Sequence, residues 1–229
     1  MAEEGPTFRK HDRYKASSYR TYNFKMPARY DRWFWLRFCR IALVDRAIVE
    51  ELRPEIGSLA ILDVGCATGR LLARLAGAGA RSLAGTDLAP RILDVAREKL
   101  LNEHADAEFR AADAEDSLPW PAEHFDVAML TGVFHHFYRP HDALREVRRV
   151  LRPGGRILLV DPCFFPVFRQ ALNLCFRIVP HAGDYRFYSR RRAAELLEAA
   201  GFRCLQARRV GLWWYFITAA KVAAAEGAA

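Results

Sequence analysis

The stretch Ile61-Leu-Asp-Val-Gly-Cys-Ala-Thr-Gly69-Arg-Leu-Leu72 decides the fold. Ala60–Gly65 is a short apolar run interrupted by a single acid and reads as a buried strand; Arg70–Ala78 reads as a helix. Between them stand Gly65 at the strand end and Gly69 at the helix start. Glycines in such places let the backbone approach a ligand closely, and a helix N-terminus offers unpaired N–H groups. The spacing is D-x-G-x-x-x-G. A dinucleotide fingerprint starting at Gly65 would need glycine at position 70, which is Arg70.

Working outward, Ser82–Asp87 reads as a second strand, ending on an acid placed to accept hydrogen bonds from ribose hydroxyls. Pro90–Leu101 follows as a helix with proline in its first turn, a favourable place for it. Glu108–Ala112 and Phe125–Thr131 are third and fourth strands, and His141–Leu151 is a helix stopped by Pro153-Gly154-Gly155. Arg156–Asp161 is a fifth strand. Continuous apolar strands alternating with helices predict a mostly parallel sheet covered on both faces. After Asp161 the alternation breaks: residues 162–188 hold five of the fifteen phenylalanines, too many for a plain connection, so the segment reads as an insert. Ser189 can cap a helix running through Ala200, with Gly201 at its stop, and Arg203–Val210 and Leu212–Ala220 are the last strands. Upstream, residues 1–29 mix charges and aromatics without a period, and residues 30–52 suit a buried helix or helix pair. The expected division is an N-terminal arm with lid helices over 1–53 and a main domain over 54–229, with 162–188 as a substrate cap.

With 229 residues, 52% of them hydrophobic, the chain can build one full-sized core, and a disordered chain is excluded. No uncharged apolar run reaches the ~20 residues of a membrane span, and the first residues lack a signal-peptide core, so a soluble cytoplasmic protein is expected. The five cysteines are odd in number and form no C-x-x-C, which argues against a disulfide framework and structural zinc; no metal ligands are read. The net charge of +8 sits in the flanks: residues 1–53 hold 12 basic and 7 acidic side chains, 177–209 hold 8 and 3, and 54–176 hold 14 and 16. Such flanks suit an anionic substrate, a phospholipid headgroup or RNA, and equally suit plain solvated arginine.

The motifs in order are Asp63-Val64-Gly65-Cys66-Ala67-Thr68-Gly69, Asp87, Ala112-Asp113-Ala114, Phe125-Asp126-Val127 and Leu151-Arg152-Pro153-Gly154-Gly155. This set resembles the class I S-adenosylmethionine-dependent methyltransferases, in particular the ubiquinone/menaquinone-biosynthesis-like branch of small-molecule enzymes, over roughly 55–220. The resemblance implies a Rossmann-like α/β fold: a seven-stranded, mostly parallel sheet with helices on both faces, the last strand pair antiparallel, and an N-terminal helical, aromatic lid. It implies S-adenosylmethionine as cofactor, with Asp63, Gly65, Cys66 and Gly69 around the methionine portion, Asp87 on the ribose and Leu88 against the adenine. Asp113 would hydrogen-bond the adenine amino group beside Ala114, and Thr131 would line the site. Ala67 stands where the family often has glycine.

Methyl transfer from a sulfonium is an in-line displacement, so orientation and desolvation of the acceptor dominate, and a base can assist an acceptor that loses a proton. The segment after the fourth strand, Gly132-Val133-Phe134-His135-His136-Phe137-Tyr138, supplies His136 and His135 as base or positioning groups. It carries no N/D-P-P-Y/F turn of the amino-methylating nucleic-acid enzymes and no nucleophilic cysteine of the cytosine-C5 enzymes, so nucleic acid is disfavoured. Acceptor choice is expected from the arm and the insert, whose Tyr14, Tyr19, Tyr22, Tyr30, Trp33, Trp35, Phe164, Phe165, Phe168, Phe176, Tyr185 and Tyr188 suit an apolar or aromatic molecule. Phe164–Val179 also reads as an amphipathic helix able to rest on a membrane, a peripheral contact that would suit a lipid-like acceptor. The alternatives are a phospholipid-headgroup or RNA methyltransferase, resting on the basic flanks, and a catalytically silent partner of the same fold. No residue argues for or against a homodimer.

Overall fold

The computed structural model describes residues 13–25, 30–31, 40–178 and 183–222. Trp33 and Trp35 lie outside them. The strands are β1 (Ala60–Val64), β2 (Ser82–Asp87), β3 (Glu108–Ala111), β4 (Phe125–Thr131), β5 (Leu151–Pro162), β6 (Phe202–Val210) and β7 (Trp214–Lys221). They form one sheet in the order β3-β2-β1-β4-β5-β7-β6. The first five are parallel; β7 runs antiparallel to both β5 and β6, as the resemblance implies. The helices are α1 (Arg13–Arg20), continued by a π-helical turn Thr21–Lys25, then α2 (Ile41–Leu52), α3 (Arg70–Gly77), α4 (Pro90–Asn102), α5 (Pro140–Val150), α6 (Pro166–Ile178) and α7 (Arg190–Ala199).

Alternation along the central strands feeds two cores. Leu62, Ala128, Leu130 and Leu159 point to one face of the sheet, where they meet Leu144 and Val147 of α5 and Leu196 and Leu197 of α7. Ile61, Val127, Met129, Leu158 and Val160 point to the other, against Val44, Ile48 and Leu52 of α2, Leu72 and Leu75 of α3 and Leu93 of α4. A strand covered on both faces has no polar side to show, which is why these strands read as apolar runs. Helix α2 is therefore part of the layered core, locked to α3 by Asp45, which is fully buried and takes ion pairs from Arg70 and from Arg74 at 3.0 Å.

Two boundaries differ from the sequence reading. β5 begins at Leu151, which pairs with Phe125, and then the register jumps to Val127 opposite Arg156. The Pro-Gly-Gly turn is thus held inside the strand as an irregularity, with Gly154 at φ 77°, because β4 offers fewer residues across from it. The amphipathic helix read over Phe164–Val179 forms as α6 with shorter ends, Pro166–Ile178, and none of its residues is buried. No helix among the described residues is long and apolar enough to cross a membrane.

The strand order reverses between β1 and β4, since β1 leads outward to β2 and β4 to β5. In open α/β sheets this point leaves a crevice beyond the carboxyl ends of the strands.

Candidate active site

A cleft with about 710 Å³ of open space, its mouth to solvent included, lies in that crevice. Its walls come from the ends of four strands: Gly65 after β1, Asp87 and Leu88 at β2, Asp113 and Ala114 after β3, and Gly132 and Val133 after β4. The N-terminal segment closes it with Lys15, Ser18, Tyr22 and Tyr30, and the turn after β4 adds His136 and Phe137.

The glycine loop is built for close approach. Gly65 sits at φ 74°, and a Cβ there would lie 2.4 Å from Val133 Cγ2. Its N–H and that of Cys66 both donate to Thr86 O, tying β1 to β2. Gly69, at φ 67°, backs onto α4, where a Cβ would meet Ala96 and Leu100 at 3.0 and 3.1 Å. Ala67 holds the left-handed region at φ 48°, a conformation that suits the glycine it replaces. Asp87 braces the loop: Oδ2 accepts from Ala67 N at 3.1 Å and Oδ1 from Ala89 N at 3.0 Å. Burial pushes its carboxyl up to about 6 even though those backbone donors pull it down. Asp63 is more extreme, pushed to about 8 by burial and then by the charge of Asp87, and its Oδ1 is buried without a hydrogen-bond partner.

Asp113 is engaged at both oxygens. Oδ1 accepts from Glu115 N at 2.9 Å, and Oδ2 takes Lys15 Nζ from α1. Lys15 also pairs with Glu115 at 3.1 Å, and all three groups are largely shielded from water. Burial pushes the Lys15 ammonium down, and the two carboxylates more than offset this, so its pKa ends above the ordinary value. Tyr30 is set by its neighbour: Asp31 accepts from Thr68 Oγ1 at 2.6 Å and pairs with Lys99 of α4.

The histidine turn is a single 3-10 turn, Phe134–His136. His135 points away from the cavity. Its Nδ1 is 3.0 Å from Asp161 Oδ1 at the end of β5, its Nε2 is 3.4 Å from Asp184 Oδ1, and its ring stacks on Phe187. Burial alone would lower its pKa, but Asp161 and Asp184 hold it up at about 10. His136 faces the cavity, with Tyr22 edge-on to its ring, and its Nδ1 is 3.5 Å from Asp184 Oδ1. Burial, then the neighbouring His135, pushes His136 down to about 4.

Of the residues singled out from the sequence, Gly65, Asp87, Leu88, Asp113, Ala114 and His136 share the cavity wall. Asp63, Cys66, Gly69, Thr131 and His135 stand behind it, Cys66 packed where a Cβ on Gly85 would meet its Sγ at 2.8 Å. Lys15, Glu115, Asp161 and Asp184 went unread. Asp161 carried a signal, since it ends an apolar strand on an acid just as Asp63 and Asp87 do nearby. Lys15, in an arm of mixed charge, carried none.

A family model described as "Methyltransferase domain" matches residues 62–159, from mid-β1 to β5, the span that builds most of this wall. Over those residues the chain is similar to a methyltransferase domain. Among its curated relatives, a demethylmenaquinone methyltransferase of Thermus thermophilus is 35% identical over 129 residues, 56% of this chain and 57% of that protein. A tRNA U34 carboxymethyltransferase of Cellvibrio japonicus is 36% identical over 115 residues, 48% of this chain and 35% of the relative. The chain thus spans between about a third and three-fifths of the first relatives' length. Among solved structures, the magnesium protoporphyrin IX methyltransferase of Synechocystis PCC 6803, solved with bound SAH, aligns with TM-score 0.71 at 17% identity, covering 90% of this chain and 99% of that one, which shows the shared fold.

Proposed function

We propose that the chain transfers a methyl group from S-adenosylmethionine to a small, apolar or aromatic acceptor. The observation that carries this reading is one cavity at the switch point in which half-buried Asp87 and Asp113 and a glycine that admits no side chain share walls with His136 and Tyr22. The residues suit the cofactor. Gly65 leaves room for a ligand against the backbone, Asp87 offers a carboxylate to a ribose diol, and Asp63 holds an orphaned buried oxygen that an ammonium would satisfy. When bound, S-adenosylmethionine supplies an electrophilic methyl on a sulfonium. The chain's own task is to orient the acceptor and keep water out. Tyr22 and Tyr30 wall the cavity, and His136 is the polar group through which an acceptor oxygen or nitrogen would be positioned.

The acceptor class follows from that lining and from relatives named for demethylmenaquinone and ubiquinone/menaquinone biosynthesis. The test is calorimetric titration with S-adenosylmethionine and S-adenosylhomocysteine, followed by methyl incorporation into quinols and phenols. Micromolar binding lost in Asp87→Ala supports the reading; absence of binding by the wild type sinks it and brings the silent-partner alternative forward. An RNA or headgroup acceptor, the reading the basic flanks favour, is distinguished by a steep loss of acceptor binding with salt.

A second reading, peripheral contact with a lipid surface, rests on Phe165, Val167, Phe168, Leu174 and Ile178, all more than half exposed on or beside α6. It predicts flotation with anionic vesicles that Val167→Ser with Phe168→Ser abolishes.

A further inference from the structure

Behind the cavity wall, three ligand atoms converge that the methyl-transfer reading does not require together. His135 Nε2 is 3.4 Å and His136 Nδ1 3.5 Å from the same oxygen, Asp184 Oδ1, and all three atoms lie within 4.8 Å of one another. Both separations are long for hydrogen bonds. They match the edge of a tetrahedron, since ligands at about 2.0–2.2 Å from a zinc ion stand roughly 3.3–3.5 Å apart. His136 Nδ1 is buried and has no hydrogen-bond partner.

The surroundings are those of a metal site. His135 Nδ1, facing Asp161 Oδ1 at 3.0 Å, is the natural donor of that pair, so a metal that displaces the Nε2 proton would find that nitrogen available as a ligand. A carboxylate behind a ligating histidine is the usual way its tautomer and ring are fixed. Asp161 is fully buried, and its second oxygen is unpartnered. Asp184 is held in place by the backbone: the N–H groups of Tyr185 and Arg186 both donate to His135 O at 3.0 Å. Gly183 packs so closely on α1 that a Cβ there would lie 2.4 Å from Ser18 Cβ.

We infer that His135, His136 and Asp184 bind one divalent transition-metal ion, with Asp161 orienting His135. Two imidazoles and one carboxylate suit zinc, iron(II) or cobalt(II) and not magnesium or calcium, which prefer all-oxygen shells. Because His136 also lines the cavity, an ion on its Nδ1 would sit directly behind the cavity wall. The sequence reading found no ligand set because it looked to cysteine spacing, and Asp184 comes from the far end of the insert.

The inference goes beyond methyl transfer, and its test needs no methyl donor. The full chain is stripped with chelator, dialysed and titrated with Zn²⁺, with metal content read by mass spectrometry and Co²⁺ loading by its visible absorption. The expected result is about one ion per chain and intense tetrahedral cobalt bands. Asp184→Asn and His136→Gln should weaken binding at least 100-fold, and Asp161→Asn by roughly 10–100-fold. His104→Ala, on the surface, serves as the control and should bind as the wild type. Unfolding curves identify which variants fold, and Asp184→Asn is nearly isosteric. A wild type that takes up less than about a tenth of an equivalent overturns the inference. So do cluster variants that fold and bind as tightly as the wild type.

Discussion

Replacing Gly65 by alanine tests the glycine loop in two separable ways. At φ 74° an L side chain costs about 1–2 kcal/mol, whatever the space around it. The added Cβ would also stand 2.4 Å from Val133 Cγ2 and 2.9 Å from Val133 Cβ, an overpacking worth about 1–3 kcal/mol. Gly65→Ala should therefore lose about 2–5 kcal/mol, a fall in Tm of roughly 4–20 °C for a chain of this size. Val133→Ala alone should cost about 1–2 kcal/mol, since the side chain is half-buried. In the double variant the collision is gone while the backbone cost remains, so the two changes should couple favourably by about 1–3 kcal/mol. The assay is a thermal and denaturant double-mutant cycle, with S-adenosylhomocysteine titration of each protein alongside. Cofactor binding should fail in Gly65→Ala and return in part in the double variant. A cycle additive to within about 0.5 kcal/mol would refute the steric argument, and full stability in Gly65→Ala would refute both halves.

Three further outcomes follow from the same site. Asp63 has its carboxyl raised to about 8, so the folded state holds a proton that the unfolded chain gives up near pH 4; stability should fall as pH rises from about 4 to 8, and Asp63→Asn should flatten that slope in pH-dependent denaturation. Lys15→Met removes the cation shared by Asp113 and Glu115, weakening the docking of α1 by about 1–3 kcal/mol; hydrogen exchange over residues 14–20 should quicken at least tenfold with the strands unchanged. Ala67→Gly relieves a left-handed alanine, offset by greater freedom in the unfolded chain, and should lie between neutral and about 1 kcal/mol more stable in thermal melts.

The sheet was legible because its strands are covered on both faces: AILDV and FDVAML cannot be anything but buried, and Gly65 and Gly69 mark where the chain turns. The wall residues Asp87 and Asp113 were legible for a related reason, as acids placed just past apolar strands. Asp184 and Lys15 were not. Each gains its role from a partner far along the chain, His135 and His136 for one, Asp113 and Glu115 for the other, and no local period marks such a meeting. The start of β5 was missed because Pro153-Gly154-Gly155 reads as a stop, whereas the sheet tolerates it as a register jump.

Helix α1 touches two regions at once. Through Lys15 it holds the carboxylates of Asp113 and Glu115; through Ser18 and Tyr14 it bears on Gly183 and Tyr185, either side of Asp184. A door hung on both jambs cannot open on one side only. A displacement of α1 at Lys15 would bear directly on the segment that carries Asp184. The two regions are thereby mechanically tied to one another through the eight residues of α1.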